Sequence, residues 1–441
     1  MLLITVAVAG YAVKRERDRV EAVERIALAR KLALVGAEFR EDDGVRARNI
    51  GLAAVKMHSD EYTRAALIDT LVEWRKTDMY ALNPNAVADV AISGDGGTAL
   101  FADMDDVFTV KLRTWLDEEV GIMEKASPVK LAAGADVMAV ALSADGRIAL
   151  TGDSDGTTGV WDLSGAGRPA RRATLPTTAK DEYRDVESVA LSRDGRIGIV
   201  GDFPGDLTVW DLTDPARPRR LSSTRAHDST RDVELSGDGR TALTSSEKSV
   251  TIWDLTDPAK PVKTADLALP EDFAETTAMS EDGRTILVAN AERADIWKLD
   301  DRARPVHTAM LDTALPGGTY DVALTPDGKT ALLAGAGGAG SVWNLAQPYR
   351  PVRLASLRGY SQEVGYVALS SDGAIALMAS PDRGLSIWDL RELAAIVADP
   401  AWFVCSRSDW PISNADWIRY TGTAAPPGFE DGDEVSLCSI R

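Results

Sequence analysis

The sequence predicts an all-β protein, a seven-bladed β-propeller, with an N-terminal α-helical stalk. Two observations carry this. An Asp-Gly pair recurs seven times, at Asp95, Asp145, Asp194, Asp238, Asp282, Asp327 and Asp372, at intervals of 44 to 50 residues, and self-similarity at that period marks a repeat architecture. The flanks keep the same register. A large apolar residue stands three positions before each Asp (Ile92, Leu142, Leu191, Leu235, Met279, Leu324, Leu369), and alanine stands four before it in six units, with Glu234 as the exception. With Val or Thr at five before, this period-2 pattern reads as a strand entering a hairpin.

After the turn comes a second apolar run, then a third ending in Trp161, Trp210, Trp253, Trp297, Trp343 or Trp388, 15 or 16 residues past its Asp. Trp115 lies 20 past Asp95, which implies an insertion around residues 105–109 of the first unit. A proline-containing connection and a fourth run complete four antiparallel strands. Such a sheet is apolar on both faces and cannot shield itself, so the units must stack face to face, and seven in a ring give a propeller. The seventh unit lacks a fourth run. The segment 77–83 is expected to supply it, with 79–82 pairing to 385–389.

Upstream, residues 14–76 carry helix formers. Val20, Val23, Ile26, Ala27 and Leu34 form an apolar stripe, "VRARNIGLAAVKM" gives a second helix, and Ser59 or Asp60 caps a third. The expected organisation is an apolar segment 1–13, a helical stalk 14–76, a propeller 77–400 and an aromatic-rich tail 401–441. In the tail, Ser413 and Asp416 are spaced to cap a short helix.

A formal net charge of −19 argues against nucleic acid as the main partner, because phosphates are repelled over most of such a surface. Three scattered histidines build no metal centre. "GDSDG" and "EDGDE" lack the ligand run of an EF-hand, and "TPDGKT" lacks the first glycine of a phosphate loop. The sequence therefore implies no metal, cofactor or catalytic residue. The apolar run at residues 2–13 is short against the roughly 20 residues a membrane helix needs. It admits three readings: a truncated membrane helix giving membrane association, a weak secretion signal, or a helix packed on protein. Cys405 and Cys438 could form a disulfide. They would stay reduced in a cytoplasmic setting and oxidise in an extracytoplasmic one.

The phrases "GVWDL", "TVWDL", "TIWDL" and "SIWDL", preceded by "ALSADGR", "ALSRDGR", "ELSGDGR" and "ALSSDGA", resemble the WD-repeat β-propeller family over residues 86–395. That resemblance implies a protein or peptide as partner. The family's Gly-His pair survives only as "AHD" at residues 226–228, so its network of His, Asp, Ser and Trp cannot be assembled in most blades. The order of apolar segment, helices, propeller and cysteine-flanked tail is similar to the C-terminal sensor portion of actinobacterial membrane-linked signalling NTPases and kinases, which implies a role in bacterial signalling.

Where a scaffold repeats, variation marks a candidate binding face. The position six before each Asp varies: Asp89, Ala139, Ser188, Asp232, Thr276, Asp321 and Tyr366. The binding-face candidates are Asp89, Ser188, Asp232, Asp321 and Tyr366, with Arg184, Arg231, Tyr320 and Tyr360 nearby. The expected function is a non-catalytic interaction or sensing scaffold. The alternative is a propeller enzyme of lactonase or dehydrogenase type, with a metal held by Asp89, Asp232 and Asp321 at the channel mouth.

Overall fold

The computed structural model describes residues 2–79, 87–103, 106–112, 128–131, 136–165, 169–177, 184–269, 274–290, 293–311, 318–381, 384–407, 412–422, 424, 430–431, 434–435 and 437–438. It contains two compact units, Lys76–Arg391 and a second made of Met1–Arg75 with Glu392–Arg441.

The larger unit holds seven four-stranded antiparallel sheets. Six are built from consecutive strands. The seventh takes Lys76–Met79 as its outer strand, paired with the Gly384–Asp389 strand so that Lys76 faces Trp388 and Met79 faces Leu385. The closing strand therefore starts three residues before the expected 79–82, and residues 80–82 lie outside the described residues. The ring is thus fastened through its own last blade.

Each Asp-Gly turn is built alike. A Ser or Thr two before the Asp donates to its Oδ1, as Ser93 does to Asp95 and Thr325 to Asp327, and accepts from the N–H five positions on. The turn glycines have φ of 62 to 71°, where a side chain is strained. "TPDGKT" is one of these turns.

The core lies between blades, not within them. One cluster joins Leu100 and Val107 of blade one to Val140 and Trp161 of blade two, and the same pattern brings Trp210, Trp253, Trp297 and Trp343 against the preceding blade. Ring closure is made by Val90, Phe101 and Phe108 of blade one against Ile375, Leu377 and Ile387 of blade seven. In blade one, Val110 faces Ala99 as Trp161 faces Ala149. No insertion precedes that strand: Val110 stands where the other blades carry Trp, and Trp115 lies outside the described residues.

In the smaller unit, α1 (Leu2–Glu38), α2 (Gly44–Met57) and α3 (Glu61–Glu73) are joined by α4 (Leu393–Ala398), α5 (Pro400–Cys405) and α6 (Asn414–Thr421). The segment after Glu392, expected partly in the propeller and partly as a separate tail, groups with the N-terminal helices. Asp60, not Ser59, caps α3 by a capping box with Thr63, and Ser413 caps α6. The stripe on α1 also differs. Ala29, Leu32 and Ala33 are buried, whereas Val20, Val23, Ala27 and Leu34 are exposed, because only the C-terminal part of the helix packs on its neighbours. No described helix is long and apolar enough to cross a membrane. Cys405 is disulfide-bonded to Cys438.

Candidate functional site at the channel mouth

The seven inner strands line a central channel. Their side chains alternate as a pleated strand requires: Val233 and Leu235 are buried between blades, while Asp232 and Glu234 line the channel. The alanines four before each Asp also line it, as Ala91, Ala278, Ala323 and Ala368 do, which keeps the bore open. Glu234, noted in the sequence only as an exception to that alanine, projects a carboxylate there.

In five of the seven blades the position six before the Asp fastens it to the next blade. Asp89 Oδ2 accepts from the Val140 N–H of the next blade at 2.7 Å. Ser188 Oγ accepts from Val233 N–H at 3.1 Å and donates to Asp232 Oδ1 at 3.0 Å. Asp232 Oδ2 accepts from the N–H and hydroxyl of Thr277 at 3.0 and 2.6 Å. Thr276 donates to Asp321 Oδ1 at 3.0 Å, and Asp321 Oδ2 accepts from Val367 N–H at 2.8 Å. Ala139, with a methyl group, offers nothing of the kind. Asp89, Ser188, Asp232 and Asp321 all accept the N–H at the same place in the next blade, so Asp and Ser are interchangeable there.

The carboxylates touch channel solvent but lie deep within the ring, and their ionisation shows it. Burial pushes Asp321 up to about 7 against the hydrogen bonds from Val367, Thr276 and Val322. Burial raises Asp89 well above the usual carboxylate range, opposed by the Val140 and Val90 N–H groups and reinforced by Asp321 and Asp232. Glu234 is raised likewise, first by burial and then by Asp232, Asp321 and Asp89. The oxygens of Asp89, Asp232 and Asp321 are thus engaged in holding blades together. Among the described residues no group of three or more His, Cys, Asp or Glu is arranged to hold a metal ion.

The rim is made one residue further upstream. Met138, Glu187, Arg231, Glu275, Tyr320 and Gly365, each seven before its Asp, line a mouth of about 570 Å³ together with Asp89, Ser188, Asp232, Asp321, Glu363 and Tyr366. Tyr320 is 42% exposed and Met138 37%. Arg231 is paired with Glu247. Burial raises Glu187, with the charge of Asp185 adding to it. Tyr366 is pushed up to about 12 by burial and then by Asp89. The sequence pointed at Arg231 and Tyr320 but not at Met138, Glu187 or Glu275. Reading the same register one residue earlier would have found them.

Two candidates lie elsewhere. Tyr360 is buried, and its hydroxyl accepts from Trp388 Nε1 at 3.0 Å while Lys76 Nζ sits 4.4 Å from its ring. It holds the closing blade together. Arg184 is exposed and packs beside Gly156 on the rim of blade two, outside the channel mouth. In the blade that follows "AHD", His227 Nε2 meets Thr244 Oγ1 at 2.8 Å, and that hydroxyl accepts from Trp253 Nε1 at 2.9 Å, so one histidine network does form.

A closed ring of seven four-stranded antiparallel sheets about a channel defines the class, a seven-bladed β-propeller. Within that class, the family model described as "WD domain, G-beta repeat" matches residues 128–162, from the edge of blade one through the third strand of blade two. A chain of a solved structure, "Crystal Structure of Mitotic Checkpoint Complex", is similar at 15% identity with a TM-score of 0.56, over 71% of this chain and 90% of that one. As many as 1799 solved chains match, so the architecture alone selects no function. No curated protein matches in sequence.

Proposed function

We propose that this chain is a non-catalytic interaction scaffold whose propeller presents the channel mouth to a protein or peptide segment. One observation carries the reading. The mouth-lining residues seven before the Asp in blades two to seven, Met138, Glu187, Arg231, Glu275, Tyr320 and Gly365, change from each blade to the next, whereas the positions three, four and five before it nearly repeat. The rim thus offers carboxylates beside an exposed ring and a thioether around a rigid concavity, the composition that recognises a segment bearing Lys or Arg with apolar neighbours. The use of the Asp89, Asp232 and Asp321 oxygens as blade fasteners weighs against the enzyme alternative.

Selection from a random peptide library on the immobilised protein tests this. Enriched peptides should be basic and should lose binding to a Glu187→Lys, Tyr320→Ala double variant. Equal binding to that variant would move the partner to another face.

The similarity of the chain's layout to membrane-linked signalling proteins supports a bacterial signalling role, with residues 2–13 as a membrane attachment. The Cys405–Cys438 bond favours an extracytoplasmic compartment over the cytoplasm, where thiols are held reduced. Thiol labelling after rapid acid quench of cells is the check, and two free thiols would return the protein to the cytoplasm.

A further inference from the structure

The smaller unit contains a second cavity, of about 220 Å³, whose chemistry is opposite to that of the channel. Its charged lining groups are the guanidiniums of Arg48, Arg75 and Arg407, and no described acidic residue lines it. In a chain of net charge −19 this is an inversion of the prevailing field. Arg48 is only 6% exposed. Its Nε and Nη2 both donate to the Asn49 side-chain oxygen at 3.2 Å, and its guanidinium lies 4.9 Å from the ring of Trp74. Burial lowers its affinity for its proton.

Also in the lining, the Arg407 guanidinium lies 3.8 Å from the centre of the Phe403 ring. Glu392 lies outside the lining and holds two of the three arginines in place: its Oε2 accepts from Arg75 Nη1 at 2.6 Å and its Oε1 accepts from Arg407. Gly44 leaves room for the indole of Trp74, since a Cβ there would stand 2.7 Å from Trp74 Nε1. The lining thus combines two aromatic rings, each with a guanidinium over it, with the apolar side chains of Leu71 and Val404.

We infer that this cavity binds a small oxyanion attached to a planar apolar body, such as an aromatic carboxylate or an aryl phosphate. Guanidinium forks match the paired oxygens of carboxylate and phosphate, and the aromatic and aliphatic side chains beside them offer apolar surface to a flat body. The inference stands independently of the channel-mouth reading, because it concerns a separate unit and a ligand of opposite charge.

Calorimetric titration of the whole chain with benzoate and with phenyl phosphate tests it, with benzamide and inorganic phosphate as controls. Saturable binding is expected for at least one of the two anions, and which one binds distinguishes a carboxylate from a phosphate ligand. Arg407→Gln, at an exposed position, should weaken it by about tenfold or more, the scale of a charge-assisted hydrogen bond. Trp74→Leu should weaken it while leaving circular dichroism unchanged. Absence of saturable binding for both anions, or binding that neither substitution weakens, would overturn the proposal. Benzamide binding as well as benzoate would overturn its anionic half, and inorganic phosphate binding as well as phenyl phosphate its apolar half.

Discussion

At one end of the channel six backbone bonds pass from blade to blade: Gly94 N–H to Ala144 O, Ala144 to Arg193, Arg193 to Gly237, Gly237 to Glu281, Glu281 to Pro326, and Ser371 back to Gly94, at 2.8 to 3.1 Å. At the other end the blades are joined by Asp89, Ser188, Asp232, Thr276 and Asp321 through their side chains. The first belt asks nothing of the side chain except that it not be proline, and it is interrupted only after Pro326, which has no N–H to give. The second is written in residue identity. A ring can thus be held at one end while its composition drifts, whereas the mouth is tied to a small set of polar groups, leaving variation without structural duty to the residue just outside them.

Breaking the side-chain end should cost most at Asp321. Replacement by Ala leaves the Val367 and Val322 N–H groups and the Thr276 hydroxyl without their acceptor, and chemical denaturation should show a loss of about 3 kcal/mol. The same residue sharpens the comparison through pH. Its folded value of about 7 lies above its ordinary 3.8, so its stabilising contribution is complete below the ordinary value and is lost as pH rises toward 7. Relative to wild type, Asp321→Asn should therefore gain stability between pH 4 and 7, as read from melting curves. A parallel pair of curves would place the raised ionisation elsewhere. Ser188→Ala removes one acceptor and one donor between blades three and four, and should cost about 1 to 2 kcal/mol.

At the backbone end, Ala144→Pro deletes one belt bond, at a position where Pro326 shows that the turn accommodates the ring. A loss of about 1 kcal/mol is expected, and a much larger one would mean that the belt acts as a unit. The smallest effect should be a gain: Ala139→Ser places a hydroxyl where Ser188 has one, within reach of the next blade's Val189 N–H, and should stabilise by up to about 1 kcal/mol.

The ring was legible because a repeat states its register seven times. Asp-Gly, the Ser or Thr before it and the Trp after it are each fixed by contacts inside one blade or with the blade beside it, and such local demands reach the sequence directly. The roles of Asp89, Ser188, Asp232 and Asp321 were not legible, since their partners lie some 45 residues away in the next unit, for example Ser188 to Asp232 and Val233, and free variation looks the same as interchangeable hydrogen bonding. Tyr360 misled because a tyrosine near a strand entry can face inward as readily as outward. Here its hydroxyl meets the one Trp that the closing strand must cover. On α1 the apolar period was present, but which stretch of it is covered depended on α2 and on chain segments far downstream.

The fastening of blade seven by Lys76–Met79 has a kinetic side. This strand leaves the ribosome before every blade, yet its sheet partner, Gly384–Asp389, is synthesised after all the other propeller strands. Until that partner emerges, Lys76–Met79 has no sheet to join and the face of blade one that packs on blade seven has nothing to cover it, so the slowest folding event should be the meeting of these distant segments. A chaperone that shields strand edges would act on this protein in that interval, and circular permutants that move the chain ends away from the seam should fold by a different last step.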